Sequence, residues 1–175
     1  GRMMCGAHLA ESVRKKASKA LREQLYLPKG EHTTILVAIS GGKDSAVLLE
    51  RIHENLGKRR DVTIVGGCVD EGIEGYRPPS LECARDLCEK LGIRFETVSY
   101  PELGFKEMDE VVDKIVELEE RKAPCSYCGV FRRQGINHLA NRVNADVIAL
   151  GHNLDDMAHT IMMNMQNGDL ERTLR

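Results

Sequence analysis

Three short stretches hold most of the side chains in this 175-residue chain that could do chemistry together. The first is Ile35–Ser45, ILVAISGGKDS, where a β-branched apolar run ends in Ser40-Gly41-Gly42 and passes straight into Lys43, Asp44 and Ser45. Adjacent glycines let the backbone turn tightly, so that consecutive N–H groups face one concavity, and a helix starting there adds the positive end of its dipole. Ser40 and Ser45 contribute hydroxyls and Lys43 a charge, so the stretch reads as a phosphate cradle. It is not the Walker type, which has four residues between its glycines and follows the Lys with Ser or Thr. Asp44 is the odd member, because a carboxylate repels phosphate unless it caps the helix or faces a Mg²⁺ ion.

The second stretch is APCSYCG, with Cys125 and Cys128 three positions apart between Pro124 and Gly129. Two thiols at this spacing can reach one metal or close one disulfide. They suit zinc, an iron–sulfur cluster or a dithiol relay. Arg132 and Arg133 follow closely and favour the thiolate form. The third stretch, GHNLDDMAHT, places Gly151 after an apolar run and Asp155 and Asp156 at the start of a helix. One carboxylate there serves as a cap, and the other is left to bind Mg²⁺ or act as a base. A lesser C-x-x-H pair, Cys5 and His8, lies near the N-terminus.

These stretches need elements to hold them, and the apolar pattern supplies candidates. TTILVAIS, DVTIVGGCVD, IRFETVSY and ADVIALG read as buried strands. Between them lie helical stretches: DSAVLLERIHENL, capped by Asp44 or Ser45 and ended by Gly57; SLECARDLCEKLG, capped by Ser80 and stopped by Gly92; and an acidic helix around 107–122. RRQGINHLANRVN continues as helix after a cysteine-rich turn, and DDMAHTIMMNMQN follows the last strand. Alternation at this spacing implies right-handed βαβ units, hence an α/β fold with a doubly wound, Rossmann-like parallel sheet. In such sheets ligands sit beyond the carboxyl ends of the strands, so residues 40–45, Asp70-Glu71-Gly72 and 151–156 should converge on one crevice. Residues 1–30 read as a separate basic helical appendage with Pro28-Lys29-Gly30 as linker, leaving 31–175 as the main domain.

Composition bounds the function. Hydrophobic residues make up 42% and charged residues 30%, as in an ordinary globular domain. No run approaches the ~18 apolar residues of a membrane span, and no signal-peptide pattern opens the chain, so a cytoplasmic location is expected. Six cysteines in such a setting point to metal or redox chemistry rather than to a disulfide framework. The net charge of -2 gives no global attraction to nucleic acid, but residues 1–30 carry seven Lys/Arg against two Glu.

The hexapeptide S-G-G-K-D-S after a first strand resembles the signature of the PP-loop, or N-type, ATP pyrophosphatases, whose fold is adenine nucleotide alpha hydrolase-like. That resemblance implies an ATP site at Ala38, Ser40, Gly41, Gly42, Lys43, Asp44, Ser45 and Gly151. It also implies reaction at the α-phosphate, giving AMP and pyrophosphate. The succession of PP-loop, DEGIEGYRPPSLE at 70–82, C-x-x-C-G and G-H-N-x-D-D further resembles the tRNA 2-thiolation enzymes of the TtuA/NcsA/CTU type. In that family the uridine C2 oxygen is adenylated and then replaced by sulfur held on a [4Fe-4S] cluster. The resemblance implies Cys125 and Cys128 as cluster ligands, Asp156 as the catalytic acid and Arg132 as a further catalytic position suited to phosphate contact.

ATP, Mg²⁺ and the cluster are the implied cofactors. Zinc at Cys5 and His8 would be a remnant of an N-terminal finger. The implied partners are tRNA, a sulfur donor (sulfide or a ubiquitin-like sulfur carrier) and a second copy of the chain; none is a membrane. The family's third cluster cysteine is expected downstream of Arg175. Two alternatives stay open: a persulfide relay without iron, and another PP-loop chemistry of the lysidine synthetase or amidotransferase type.

Overall fold

The computed structural model describes residues 3–28, 30–118, 123–169 and 171. Lys29 of the expected linker, residues 119–122 of the expected acidic helix, and Arg175 lie outside the described residues. Helix α1 (Gly6–Gln24) leads into strand β1 (Thr33–Ala38), then α2 (Lys43–Leu56), β2 (Val62–Asp70), α3 (Arg77–Leu91) and β3 (Arg94–Ser99). A single 3₁₀ turn at Pro101–Leu103 precedes α4 (Met108–Glu117), α5 (Pro124–Arg142), β4 (Val147–Ala149) and α6 (Leu154–Gln166).

The four strands form one parallel sheet in the order β3-β2-β1-β4. Successive β1 residues face opposite sides, and each side carries its own core. Ile35, Val37 and Ile39 pack with Leu49, Ile52, Ala84 and Cys88 of α2 and α3. Leu36 packs on the other face with Val65, Val98, Tyr100, Met108 and Leu139, under α4 and α5. The doubly wound α/β architecture read from the sequence is therefore the one observed. Helix α1 lies against this body, with Leu21 packed on the first core together with Leu25 and Leu27 just beyond the helix.

Local signals explain where the helices differ from expectation. Helix α2 starts at Lys43 with Gly42 in the cap position and no side-chain cap, so neither Asp44 nor Ser45 caps it. Gly57 closes it with right-handed backbone, φ -62°. Helix α3 begins at Arg77 rather than after Ser80, because Pro78 and Pro79 fall in a first turn whose N–H groups have no intrahelical partner. Ser80 is therefore inside the helix, its hydroxyl donating to the Arg77 carbonyl at 3.0 Å. Gly92 ends α3 in the left-handed conformation, φ 65°, as its position after the apolar pattern predicts. Helix α5 likewise begins at Pro124, which turns the expected cysteine-rich turn into the first turn of a helix.

Candidate functional site

The strand order reverses between β1 and β4. The chain leaves β1 for β2 and β3 on one side and returns to β4 on the other. The carboxyl ends of β1 and β4 therefore diverge into the crevice where such sheets hold ligands. A cleft of about 250 Å³ opens there, lined among others by Ala38, Ser40, Gly42, Asp44, Ser45 and Gly151. Glu71, Arg77 and Arg132 line it as well, so all three polar clusters contribute.

The loop after β1 is held by its own hydroxyls. Ser45 Oγ donates to the Gly42 carbonyl at 2.9 Å and accepts from Ser40 N at 3.2 Å, while Gly42 N donates to Ser40 Oγ at 3.3 Å. Gly41 has φ +83°, and a Cβ built there would stand 2.3 Å from the Ser80 carbonyl oxygen. Only glycine fits that position. Gly151 brings the β4 loop against the same turn, for its Cβ would lie 3.1 Å from Ser45 Cα. The result is a narrow turn at the N-terminus of a 14-residue helix, the geometry that receives an anion. Lys43 and Gly41 belong to the turn without lining the cleft.

The opposite wall is built from buried charge. Glu71, 3% exposed, has Oε1 accepting from Arg132 Nε at 2.9 Å. Arg77 Nε lies 2.7 Å from Glu71 Oε2, an ion pair by distance whose N–H is not aimed at the oxygen. Arg77 also donates to the Ser40 carbonyl at 3.1 Å, to Cys68 Sγ at 2.8 Å and to the Val69 carbonyl. Two guanidinium groups against one carboxylate leave this wall with an excess positive charge beside the phosphate turn.

Arg132 ties this wall to the cysteines. Its Nη2 donates to Cys128 Sγ at 3.5 Å, and the Tyr100 hydroxyl donates to the Cys128 carbonyl at 3.1 Å. Burial works against the Arg132 charge, yet Glu71 and Cys128 outweigh it and hold its pKa above the ordinary arginine value. Burial, then the hydrogen bond to Cys128, pushes the Tyr100 phenol well above its usual value. Phe131 stacks on Phe105 with centroids 4.3 Å apart and meets Tyr100 edge-on at 5.4 Å, which seats the first turns of α5 on the sheet end. Cys125 is exposed and Cys128 half-buried in that first turn, and neither lines the cleft. As thiols at i and i+3 they fit two positions of a metal or cluster site. Among the described residues, no group of three or more His, Cys, Asp or Glu is placed to hold a metal.

Asp156 is placed differently from a free carboxylate. Asn153 caps α6, its side chain accepting from Asp156 N at 3.0 Å, and Asp156 Oδ2 accepts from Asn153 N at 2.9 Å in a reciprocal capping box. Asp155 lies beside it in the same first turn. Cys5 Sγ and His8 Nδ1 stand 3.0 Å apart on the exposed start of α1. The two remaining buried thiols are inert by environment, since burial raises Cys68 and Cys88 from 9.0 to about 11 each.

Arg77 escaped the sequence reading, and Glu71 entered it only as part of an acidic cluster at the end of a strand. Their pairing joins three separate elements and has no local spacing. The signal available was an Arg immediately before Pro78-Pro79, where a helix start was readable.

The phosphate turn at the switch point of a doubly wound sheet defines an ATP-binding protein of the PP-loop class. The chain belongs to that family: the PP-loop domain model matches residues 9–175. Within it the chain is similar to the tRNA 2-thiolation protein NcsA of Haloferax volcanii, 37% identical over all of this chain and 55% of that protein. It is also similar to the cytoplasmic tRNA 2-thiolation protein 1 of Malassezia globosa, 36% identical over all of this chain and 46% of that protein. The chain thus spans about half the length of the curated relatives it matches. Among solved structures, the U34-tRNA thiolase NcsA from Methanococcus maripaludis with its [4Fe-4S] cluster superposes with a TM-score of 0.81. It is 33% identical and shares 98% of this chain and 55% of its own. Glutamine-dependent NAD+ synthetase from Acinetobacter baumannii, 16% identical with a TM-score of 0.54, shares the fold. The TtuA/NcsA/CTU resemblance read from the motifs is therefore upheld.

Proposed function

We propose that this chain carries the ATP-binding and cysteine-bearing half of a cytoplasmic tRNA uridine 2-thiolation enzyme. The observation that supports the reading most is Arg132: it lines the phosphate cleft and also donates to Cys128, so activation and sulfur delivery share one wall. The pyrophosphate part of ATP rests on the turn from Ser40 to Ser45. The uridine C2 oxygen attacks the α-phosphorus, the bond to pyrophosphate breaks, and Mg²⁺ near Asp44 offsets the phosphate charge. Sulfur then adds at C2, and AMP departs with the former C2 oxygen.

Arg132 stays protonated and holds the phosphate oxygens as charge builds on them. Asp156 is the residue proposed for proton transfer near the sulfur step. Cys125 and Cys128 would hold two positions of a [4Fe-4S] cluster, which when bound supplies an open iron for sulfur. Cys5 and His8 would form half of a zinc site, residues 1–30 a basic arm that meets tRNA, and a second copy of the chain the homodimer partner. Sulfide or a sulfur-carrier protein is the donor.

A second reading, a persulfide relay between Cys125 and Cys128, is favoured by one observation: Cys125 is exposed, within reach of a sulfur donor, three positions from Cys128. The full-length protein purified without oxygen separates the two. Iron and acid-labile sulfide lost in Cys125→Ala, together with loss of 2-thiouridine from tRNA by nucleoside mass spectrometry, supports the cluster. Iron-free protein that still makes 2-thiouridine from a persulfide-bearing donor supports the relay, and protein that makes none with ATP, tRNA and either sulfide or such a donor present rejects both.

A further inference from the structure

A continuous chain of polar contacts runs from the nucleotide turn to the cysteine turn, and its central member is Glu71. Arg77 grips the turn through the Ser40 carbonyl at 3.1 Å and meets Glu71 at 2.7 Å. Glu71 takes Arg132 Nε at 2.9 Å, and Arg132 reaches Cys128 Sγ at 3.5 Å. The two ends of this chain differ in freedom. The Arg77 and Glu71 side chains are 5% and 4% exposed, whereas that of Arg132 is 52% exposed. A buried carboxylate shared by two guanidinium groups cannot release one without leaving a poorly compensated charge, so the buried end is stiff.

We propose that Glu71 is a positioning residue that couples nucleotide occupancy of the turn to the placement of the first turns of α5. When phosphate settles on the turn from Ser40 to Ser45, the Ser40 carbonyl shifts with it. The Arg77–Glu71 pair then resets Arg132 and with it Cys128. The coupling makes the cysteine turn ordered for reaction only when nucleotide is bound. It rests on nucleotide binding at the PP-loop alone and does not depend on the thiolation reading.

Hydrogen–deuterium exchange on the full-length protein tests it, using a non-hydrolysable ATP analogue at saturation and no tRNA or sulfur donor. In the unchanged protein the analogue slows exchange at residues 40–46 and, by about fivefold or more, at residues 125–132. Glu71→Gln keeps the slowing at 40–46 and loses it at 125–132. Glu71→Asp, which keeps the charge between the two guanidinium groups but shortens its reach to Arg132, gives the same split and serves if Glu71→Gln does not fold. Retention of the slowing at 125–132 in either folded variant overturns the proposal. So does an unchanged protein that protects 40–46 without protecting 125–132. Absence of analogue binding at 40–46 would instead count against the PP-loop site itself and equally remove the coupling.

Discussion

The nucleotide turn and the cysteine turn are built by different means. On the nucleotide side, the turn is continuous with the core: Ser45 is 5% exposed, Leu49 is fully buried, and three hydroxyl hydrogen bonds fix the backbone. At the cysteine turn, Cys125 is exposed and Cys128 half-buried; elsewhere, α6 has no buried residue among its Leu154–Gln166 span. Met157, Met162, Met163 and Met165 of α6 are each about 60% exposed, so its apolar face contributes little to the fold of this chain. What supports the cysteine turn is Phe131, packed on Phe105 and Tyr100, together with the contacts of Tyr100 and Arg132 to Cys128. A phosphate site needs only fixed N–H groups and a helix end, which a core can supply. A site proposed to exchange sulfur has to leave its thiols within reach.

Mutations can break this contrast, and the largest effect belongs to the nucleotide side. Gly41→Ala forces φ +83° on an alanine and drives its Cβ into the Ser80 carbonyl. Denaturant unfolding should show a loss of about 1–3 kcal/mol or more, and nucleotide binding by calorimetry should vanish. A variant that binds ATP normally would show that the turn is not the cradle. Tyr100→Phe comes next, because it removes a buried hydroxyl that donates to the Cys128 carbonyl at 3.1 Å. A loss of about 1 kcal/mol is expected, with ATP affinity unchanged, since Tyr100 does not line the cleft. The smallest effect is expected at Met162→Ala on α6, within about 0.5 kcal/mol by the same unfolding measurement. A loss several times larger would mean that the helix face is covered.

The same contrast explains what could be read in advance. The sheet, its switch point and the phosphate turn follow from local pattern, since a buried strand, two glycines and a helix start are contiguous in sequence. The helices start at Arg77 and Pro124 rather than after Ser80 and after the cysteine-rich turn, because proline's missing N–H costs nothing in a first turn. Of the two carboxylates that open α6, one is expected to serve the helix end, and Asp156 is that one: Asn153 three residues earlier completes a capping box with it. The Arg77–Glu71–Arg132 contacts span 61 positions between their outer acid–base pair and are set only by packing. Pairing of that kind leaves no periodicity to read.

The central claim is that ATP is split at the α-phosphorus in step with sulfur entering the uridine. The most direct measurement is chromatography of the nucleotide products from a reaction of full-length protein with ATP, tRNA and sulfide, beside nucleoside analysis of the same tRNA. The account predicts one AMP and one pyrophosphate for each 2-thiouridine, with no AMP when tRNA is withheld. ADP and inorganic phosphate in that proportion, or thiouridine formed without ATP, would contradict it.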